Sequence, residues 1–138
     1  KPKEKSLKLL INKYLKRLES ESIKVIEHSD HLSSKEYLLK LIKYVKKGFL
    51  ILIDQTGMEH NSLEFSNLVH SWKLESQDTH LAIGPAAGFP ENDTSLIKLN
   101  LLKISLSRMT FPHELAALIL VEQLYRSIQI LNGTKYHK

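Results

Sequence analysis

The sequence predicts an α/β protein built on a parallel sheet with helices on both faces. The first observation is a continuous apolar run at residues 49–53, which is typical of a central parallel strand buried on both faces. The second is the alternation of such runs with amphipathic helical patterns along the chain. The third is the longest helical pattern, which follows His113 and is apolar on nearly every side in its first half. Such a helix must be buried, either against its own sheet or against a second copy of the chain.

The first half of the chain is basic and mostly helical. Apolar residues at helical spacing predict a helix over residues 3–18, with lysines mainly on its other faces. Residues 22–28 are rich in β-branched side chains that alternate, which predicts a strand. Ser33 or Ser34 can cap the next helix, which Gly48 ends.

The second half is interpreted from the same signals: apolar runs for strands, glycine and proline for turns, and Asn, Ser, Asp or Thr for helix caps. In chain order these signals predict a turn at 54–57, a helix from Asn61 or Ser62 to Leu74, a strand at 79–83, a turn at 84–88, a short helix from 92–94 to about 99, a strand at 101–106 and the long helix, which Asn132 and Gly133 end.

Length and charge limit the class of protein. A chain of 138 residues is the size of one domain, and we expect a single domain over residues 1–138. Cysteine is absent, which excludes disulfides and thiolate chemistry and is typical of a reducing compartment, so we expect a cytoplasmic location. Residues 1–48 carry a net charge of +7 and residues 49–138 carry −2, which predicts docking to a polyanion.

Three loops leave the carboxyl ends of predicted strands, which is where open parallel sheets bind ligands. They lie at 54–57, 84–88 and 105–112, and none has a dinucleotide or P-loop fingerprint. The seven histidines show no zinc-ligand spacing, so we expect no metal. His113 falls in the first turn of a helix, where a hydrogen-bonding role is more consistent than a general base. These patterns alone do not name a reaction.

Several motifs resemble those of the RlmH family, whose members methylate N3 of a pseudouridine in large-subunit ribosomal RNA. The matching segments are SLSRMTFPH at 105–113, EQLYR at 122–126, GTKYHK at 133–138, Trp72-Lys73-Leu74, Ile83-Gly84, and Ile53-Asp54 with Gly57. The resemblance covers about residues 3–138, and the C-terminal segments are its most specific part. It implies a SPOUT-type parallel-sheet α/β/α domain with a C-terminal trefoil knot, an exception to the rule that chains avoid knots.

The resemblance also implies a cofactor and partners. The family works as a homodimer on ribosomal RNA and holds S-adenosylmethionine in the knot. The cofactor-binding residues carried over by position are Ile53, Gly84, Leu106, Ser107, Arg108, Met109, Thr110 and Phe111. Those expected to bind RNA are Tyr136, His137 and Lys138. Methylation of N3 requires loss of the N3 proton, so a cation or a base is expected nearby. We assign this role to His137 or Arg126, with Tyr136 stacking on the base.

Three departures from the family pattern keep alternatives open. Pro85 stands where the family has a second glycine, and it lacks a backbone donor. Ala117 stands where the family has an arginine. The family's first apolar strand is not among the residues before Lys3, so that strand is either lost or precedes Lys1, and we expect the second because its loss would expose a neighbouring strand. A degenerate, knotted dimer that binds ribosomal RNA without methylating it is the alternative interpretation. A small-molecule enzyme with the same pocket is the third, which the basic N-terminal half disfavours.

Overall fold

The computed structural model describes residues 5–24, 26, 32–45, 48–84, 89 and 102–137. These residues form two compact units. The helical unit is built from Lys1–His28, His60–Leu74 and Phe111–Lys138, and the sheet unit from Ser29–Glu59 and Glu75–Thr110. The predicted turn at 85–88 and the predicted helix at 92–99 lie outside the described residues.

The sheet unit contains a parallel sheet, which confirms the predicted α/β class. Its described strands are β1 (Phe49–Glu59), β2 (Thr79–Ile83) and β3 (Leu102–Ser105), in the order β2-β1-β3. The central position of β1 explains its apolar run, because residues 50–53 are all buried. Helix α1 (Lys5–Arg17) belongs to the helical unit, and helix α2 (Ser34–Tyr44) packs Leu38 and Leu41 against the sheet.

The turn predicted at 54–57 is wrong, because these residues continue β1 as a break in strand register. Ile53 and Met58 both lie opposite Ile104, so the residues between them have no partner of their own on β3. Gly57 permits this arrangement: a Cβ built on it would lie 2.6 Å from the carbonyl carbon of Lys103 and 2.7 Å from the backbone of Ile104. Only glycine allows the two backbones to approach so closely.

The strand predicted at 22–28 does not form over its described residues. Residues 22–24 and 26 lie in no strand, and no described strand pairs with them. Ser22 has φ 59°, a left-handed conformation that ends the 3₁₀ turn Glu19–Glu21 and is incompatible with an extended strand. Alternation of β-branched residues therefore predicted a strand wrongly here, because the chain turns at Ser22.

The helices of the helical unit begin and end where local signals predict. They are α1, α3 (Ser62–Leu74) and α4 (His113–Leu131), and α4 packs against both of the others. Asn61 caps α3 by a reciprocal pair of bonds with Glu64, both 2.8 Å, and Ser33 forms the equivalent capping box with Glu36 before α2. Gly133, with φ +70°, follows the end of α4. Within the described ranges, no helix has the length and apolarity needed to cross a membrane.

Candidate functional site

Ile53, inside β1, lies beside the carboxyl ends of β2 and β3, which brings the first of the predicted cofactor residues close together. The N–H of Gly84 donates to the carbonyl of Ile53 over 3.4 Å, immediately beyond the last paired residues of β1 and β2. Ile53 also lies opposite Ile104, two residues before Leu106. Ile53, Gly84 and Leu106, the first residues of the three predicted cofactor-binding segments, therefore lie close together.

The loop after β3 is held in shape by short-range hydrogen bonds. The Oγ of Ser105 donates to the carbonyl of Ser107 over 2.8 Å, and the N–H of Met109 donates to the Oγ of Ser107 over 3.0 Å. This folded loop leaves the Met109 side chain 74% exposed. An exposed thioether at a strand end is a suitable surface for an apolar or cationic ligand group.

The same loop is tied to the irregular part of β1. Thr110 Oγ1 donates to Gln55 Oε1 over 2.6 Å, and Arg108 Nε donates to Glu59 Oε1 over 2.6 Å. Both contacts are exposed, so each stabilises the fold only slightly, but together they fix where the loop lies. Sequence patterns missed Gln55 and Glu59, because a pairing across about 50 residues leaves no local spacing signal.

Asp54, the acidic residue at the end of a predicted strand, forms local hydrogen bonds within the irregular part of β1. Its Oδ2 accepts from the N–H of Thr56 over 3.2 Å and from the Thr56 hydroxyl. Such a local arrangement is typical of an aspartate that shapes an irregular backbone. Among the described residues, no group of three or more His, Asp or Glu side chains is arranged to bind a metal.

The helical unit brings the three predicted catalytic residues together. Arg126 Nη1 lies 3.1 Å from Nδ1 of His137, and its guanidinium carbon lies 5.0 Å from the centre of the Tyr136 ring. Glu122, one helical turn before Arg126, binds it through Nε at 3.1 Å and Nη2 at 3.0 Å. We call Glu122, Arg126, Tyr136 and His137 the C-terminal cluster. The third expected RNA-binding residue, Lys138, lies outside the described residues.

Aromatic rings extend the C-terminal cluster towards α1. Tyr136 packs edge-on against Tyr125 at 4.9 Å, and Tyr125 lies 5.7 Å from Tyr14. Arg17 lies over both Tyr14 and Tyr125, at 5.4 and 5.5 Å from the ring centres. Glu122 and Arg126 could have been paired from their i, i+4 spacing. Tyr14 and Arg17 could not, because only the folded chain brings α1 beside the C-terminus.

Burial and hydrogen bonding shift the acid–base behaviour of this group. The hydrogen bond to Glu122 raises the pKa of Arg126, so its positive charge is permanent. Burial, followed by the hydrogen bonds of Tyr14 and Glu122, raises the pKa of Tyr136 well above its usual value. Neither residue can therefore take a proton from a substrate near neutral pH.

The raised pKa of Tyr136 predicts a loss of stability in alkali. The folded protein holds the phenol proton more tightly than the unfolded chain does, and this stabilisation is complete below the ordinary tyrosine pKa of 10.0. It disappears as the pH rises through the higher folded value. We expect the free energy of unfolding, measured in urea from about pH 9 to 11, to fall less steeply in Tyr136→Phe than in the wild type. Tyr37, whose pKa burial also raises, is common to both proteins and cancels. Equal slopes would contradict the assignment.

Comparison with known proteins identifies the class to which this architecture belongs. A family model described as "Predicted SPOUT methyltransferase" matches residues 1–137. The chain is also similar to proteins named "Ribosomal RNA large subunit methyltransferase H". It is 34% identical to that of Malacoplasma penetrans over 149 residues and 39% identical to that of Acetivibrio thermocellus over 151 residues, in each case over 99% of this chain and 93% of the relative. A "Putative ribosomal RNA large subunit methyltransferase H" of Methanocorpusculum labreanum is 43% identical over 112 residues, 80% of this chain and 69% of the relative.

The chain therefore belongs to the SPOUT methyltransferases, and within them to the RlmH family that its motifs indicated.

Proposed function

We propose that this protein transfers the methyl group of S-adenosylmethionine to N3 of a pseudouridine in large-subunit ribosomal RNA. The observation that carries the proposal is the proximity of Ile53 in β1, Gly84 just after β2 and the loop that starts at Leu106 just after β3. Family membership supplies the reaction class, and the names of the relatives supply the substrate. A cytoplasmic location, where ribosomes are found, is part of the same proposal.

The residues at the strand ends fit this cofactor. Ile53 is buried, whereas the half-buried Leu106 and the exposed Met109 supply apolar surface that can cover an adenine or a sulfonium group. A Cβ on Gly84 would lie 3.1 Å from the ring of Phe89, so glycine lets that ring pack against the backbone. Backbone groups of residues 106–111 can bind the adenine edge. When bound, S-adenosylmethionine supplies an electrophilic methyl carbon. The strand-end residues bind and orient it, and correct alignment of the methyl carbon with N3 contributes much of the acceleration.

The proposal includes a knotted C-terminal segment and a homodimer. The support for a dimer is the first half of α4, where Leu115, Leu118 and Ile119 stay half-buried, while the fully buried residues of the helix begin at Leu120. A helix that is apolar on all sides is normally fully buried, so the half-buried residues of α4 favour a second copy of the chain packed against them. We further propose that the two units act together as one methyltransferase domain over residues 1–138.

Two measurements test the proposal. Titration calorimetry with S-adenosylmethionine should give saturable binding, and purified protein should transfer a labelled methyl group to assembled ribosomes but not to free nucleosides. Binding to ribosomes without binding of the cofactor would favour the degenerate RNA-binding dimer instead, for which Ala117 and Pro85 are the support. Transfer to free nucleosides would favour a small-molecule enzyme.

The basic helix α1 predicts salt-dependent binding to RNA. Its sequence, KSLKLLINKYLKR, holds five lysines and arginines and no acidic residue. We expect affinity for ribosomal RNA to fall steeply with salt, by a slope of about 0.7–0.9 for each phosphate contacted. Replacement of Lys8, Lys13 and Lys16 with glutamine should reduce that slope, whereas Lys73→Gln, which removes a lysine paired with Glu21, should not. A slope unaffected by the triple change would contradict a role for α1.

A further inference from the structure

The carboxylate of Glu122 has no remaining site at which to accept a proton. Its Oε1 accepts from Arg126 Nε and from Gln123 Nε2, both at 3.1 Å. Its Oε2 accepts from Arg126 Nη2 at 3.0 Å and from the Tyr136 hydroxyl at 3.1 Å. Two carboxylate oxygens offer about four acceptor positions, and all of them are filled. Glu122 therefore holds other side chains in place and cannot itself serve as a base.

The direction of each hydrogen bond in the C-terminal cluster follows from which groups can only donate. A guanidinium has no acceptor, so Arg126 Nη1 must donate to Nδ1 of His137 across their 3.1 Å contact. In the neutral ring the proton of His137 is then on Nε2. The single hydroxyl proton of Tyr136 goes to Glu122, so the Tyr14 hydroxyl, at 3.5 Å, must be the donor to Tyr136.

These directions leave the C-terminal cluster with a fixed cation and an N–H donor, and with no available base. Arg126 uses three of its five N–H groups on Glu122 and His137, which leaves two for a ligand. The Nδ1 lone pair of His137 is occupied, and its Nε2 carries a proton. Among the residues that the structure describes, the titratable side chains in contact with this cluster include Tyr14 from α1 and Tyr125 from α4, and Arg17 lies over the rings of both.

We infer that Glu122 is a positioning residue: it fixes Arg126, and Arg126 in turn fixes the Nε2–H tautomer of His137. Arranged in this way, the C-terminal cluster recognises the anion of a cyclic imide. An imide places N–H between two carbonyls, and loss of its proton spreads negative charge onto both oxygens. Donors and a cation facing those oxygens favour the anion. The inference rests on the proposed function, since N3 of pseudouridine carries a proton and lies between two ring carbonyls.

The reaction that follows is balanced without a protein base. The N3 proton leaves to water, and the N3 electron pair forms the bond to the methyl carbon as the carbon–sulfur bond breaks, with the sulfur keeping the bonding pair. His137 thus donates a hydrogen bond to a carbonyl oxygen of the substrate. The proposal thus gives His137 the role of a hydrogen-bond donor and leaves the alternative, a base, to be tested.

The tautomer can be measured without any substrate. In full-length ¹⁵N-labelled protein, long-range proton–nitrogen correlation should show His137 with an unprotonated Nδ1 and a protonated Nε2 when the ring is neutral. Glu122→Gln should populate both tautomers, because the amide keeps one acceptor oxygen and no charge, so Arg126 loses the forked contact that orients it. The matched control Glu21→Gln, which breaks only an exposed ion pair with Lys73, should leave the spectrum unchanged. A proton on Nδ1 in the wild type, or an unchanged tautomer in Glu122→Gln, would overturn the inference.

Kinetics provide the second readout. Glu122→Gln should slow methyl transfer near neutral pH by roughly 10- to 100-fold, the range expected when hydrogen bonds to a charged group are lost. The rate should recover as the pH rises and the imide ionises unaided, which a general loss of folding would not produce. His137→Gln, whose amide can donate in place of Nε2–H, should stay within about tenfold of the wild type and exceed His137→Ala. Equal loss in both His137 variants would instead indicate a base. If the wild type transfers no methyl group, the proposed function fails. The tautomer measurement, which needs no substrate, still tests whether Glu122 positions Arg126 and His137.

Discussion

Replacing Arg126 with alanine is expected to lower methyl transfer to ribosomes by about 100- to 1,000-fold, the loss seen when one preorganised electrostatic group is removed. Glu122 and His137 hold the guanidinium in one orientation, and its charge is permanent, so no reorganisation is needed when substrate charge develops. Single-turnover rates with excess enzyme measure the effect on the transfer step. Arg126→Lys should restore little, because an ammonium cannot reproduce the forked contact with the carboxylate.

The control for this prediction is Lys73→Ala, which also removes one cation from the helical unit but breaks only an exposed pair with Glu21. Its transfer rate should match the wild type. Binding of S-adenosylmethionine, followed by calorimetry, should be unchanged in both variants, because the predicted cofactor residues Ile53 and Gly84 lie in the sheet unit. If Arg126→Ala transferred the methyl group at a rate within a few-fold of the wild type, the proposed role of the Arg126 charge in the transfer step would be contradicted.

Replacing Gly57 with alanine is expected to destabilise the protein by about 2 kcal/mol or more, as overpacking of a rigid site does. The new methyl group would lie 2.6–2.7 Å from the backbone of Lys103 and Ile104, so β3 must move away from β1. The loop after β3 would move with it and lose its contacts to Gln55 and Glu59. We therefore also expect about a tenfold weaker affinity for S-adenosylmethionine, equivalent to roughly 1.4 kcal/mol.

Gly133→Ala separates the two effects. Gly133 has φ +70° and no neighbouring atom within 4 Å of an added Cβ, so alanine there should cost only about 1–2 kcal/mol through backbone conformation. Its affinity for the cofactor should stay unchanged. Thermal melting and calorimetry on the same preparations measure both quantities. Normal cofactor affinity in Gly57→Ala would show that the packing of β3 on β1 does not shape the cofactor site.

Local chemistry predicted much of the fold. The observed caps, Ser33 and Asn61, are each one of two neighbouring candidates that the sequence offered, because a capping box lies within four residues. The strand β2 was predicted with its observed bounds, since a short apolar run needs only burial to form. The strand predicted at 22–28 failed because β-branched alternation says nothing about whether a neighbouring strand is present.

Pairings between distant parts of the chain were beyond sequence patterns. Asp54 and Gly57 look like parts of a turn, and only their approach to β3, about 50 residues later, makes them part of a strand. The C-terminal cluster shows the same limit. Resemblance to a family supplied Arg126, Tyr136 and His137, but the proposed donor role of His137 depends on the contact of its Nδ1 with Arg126 in the folded chain. Chemical roles thus needed distances as well as residue identities.

The most direct test of the central claim is mass spectrometry of large-subunit ribosomal RNA from cells with and without this protein. The proposed function predicts one methylated pseudouridine that disappears when the protein is removed. The methyl group should return when wild-type protein is supplied, and return only weakly with Arg126→Ala. Ribosomal RNA whose methylated pseudouridines are identical in both cell types would contradict the claim.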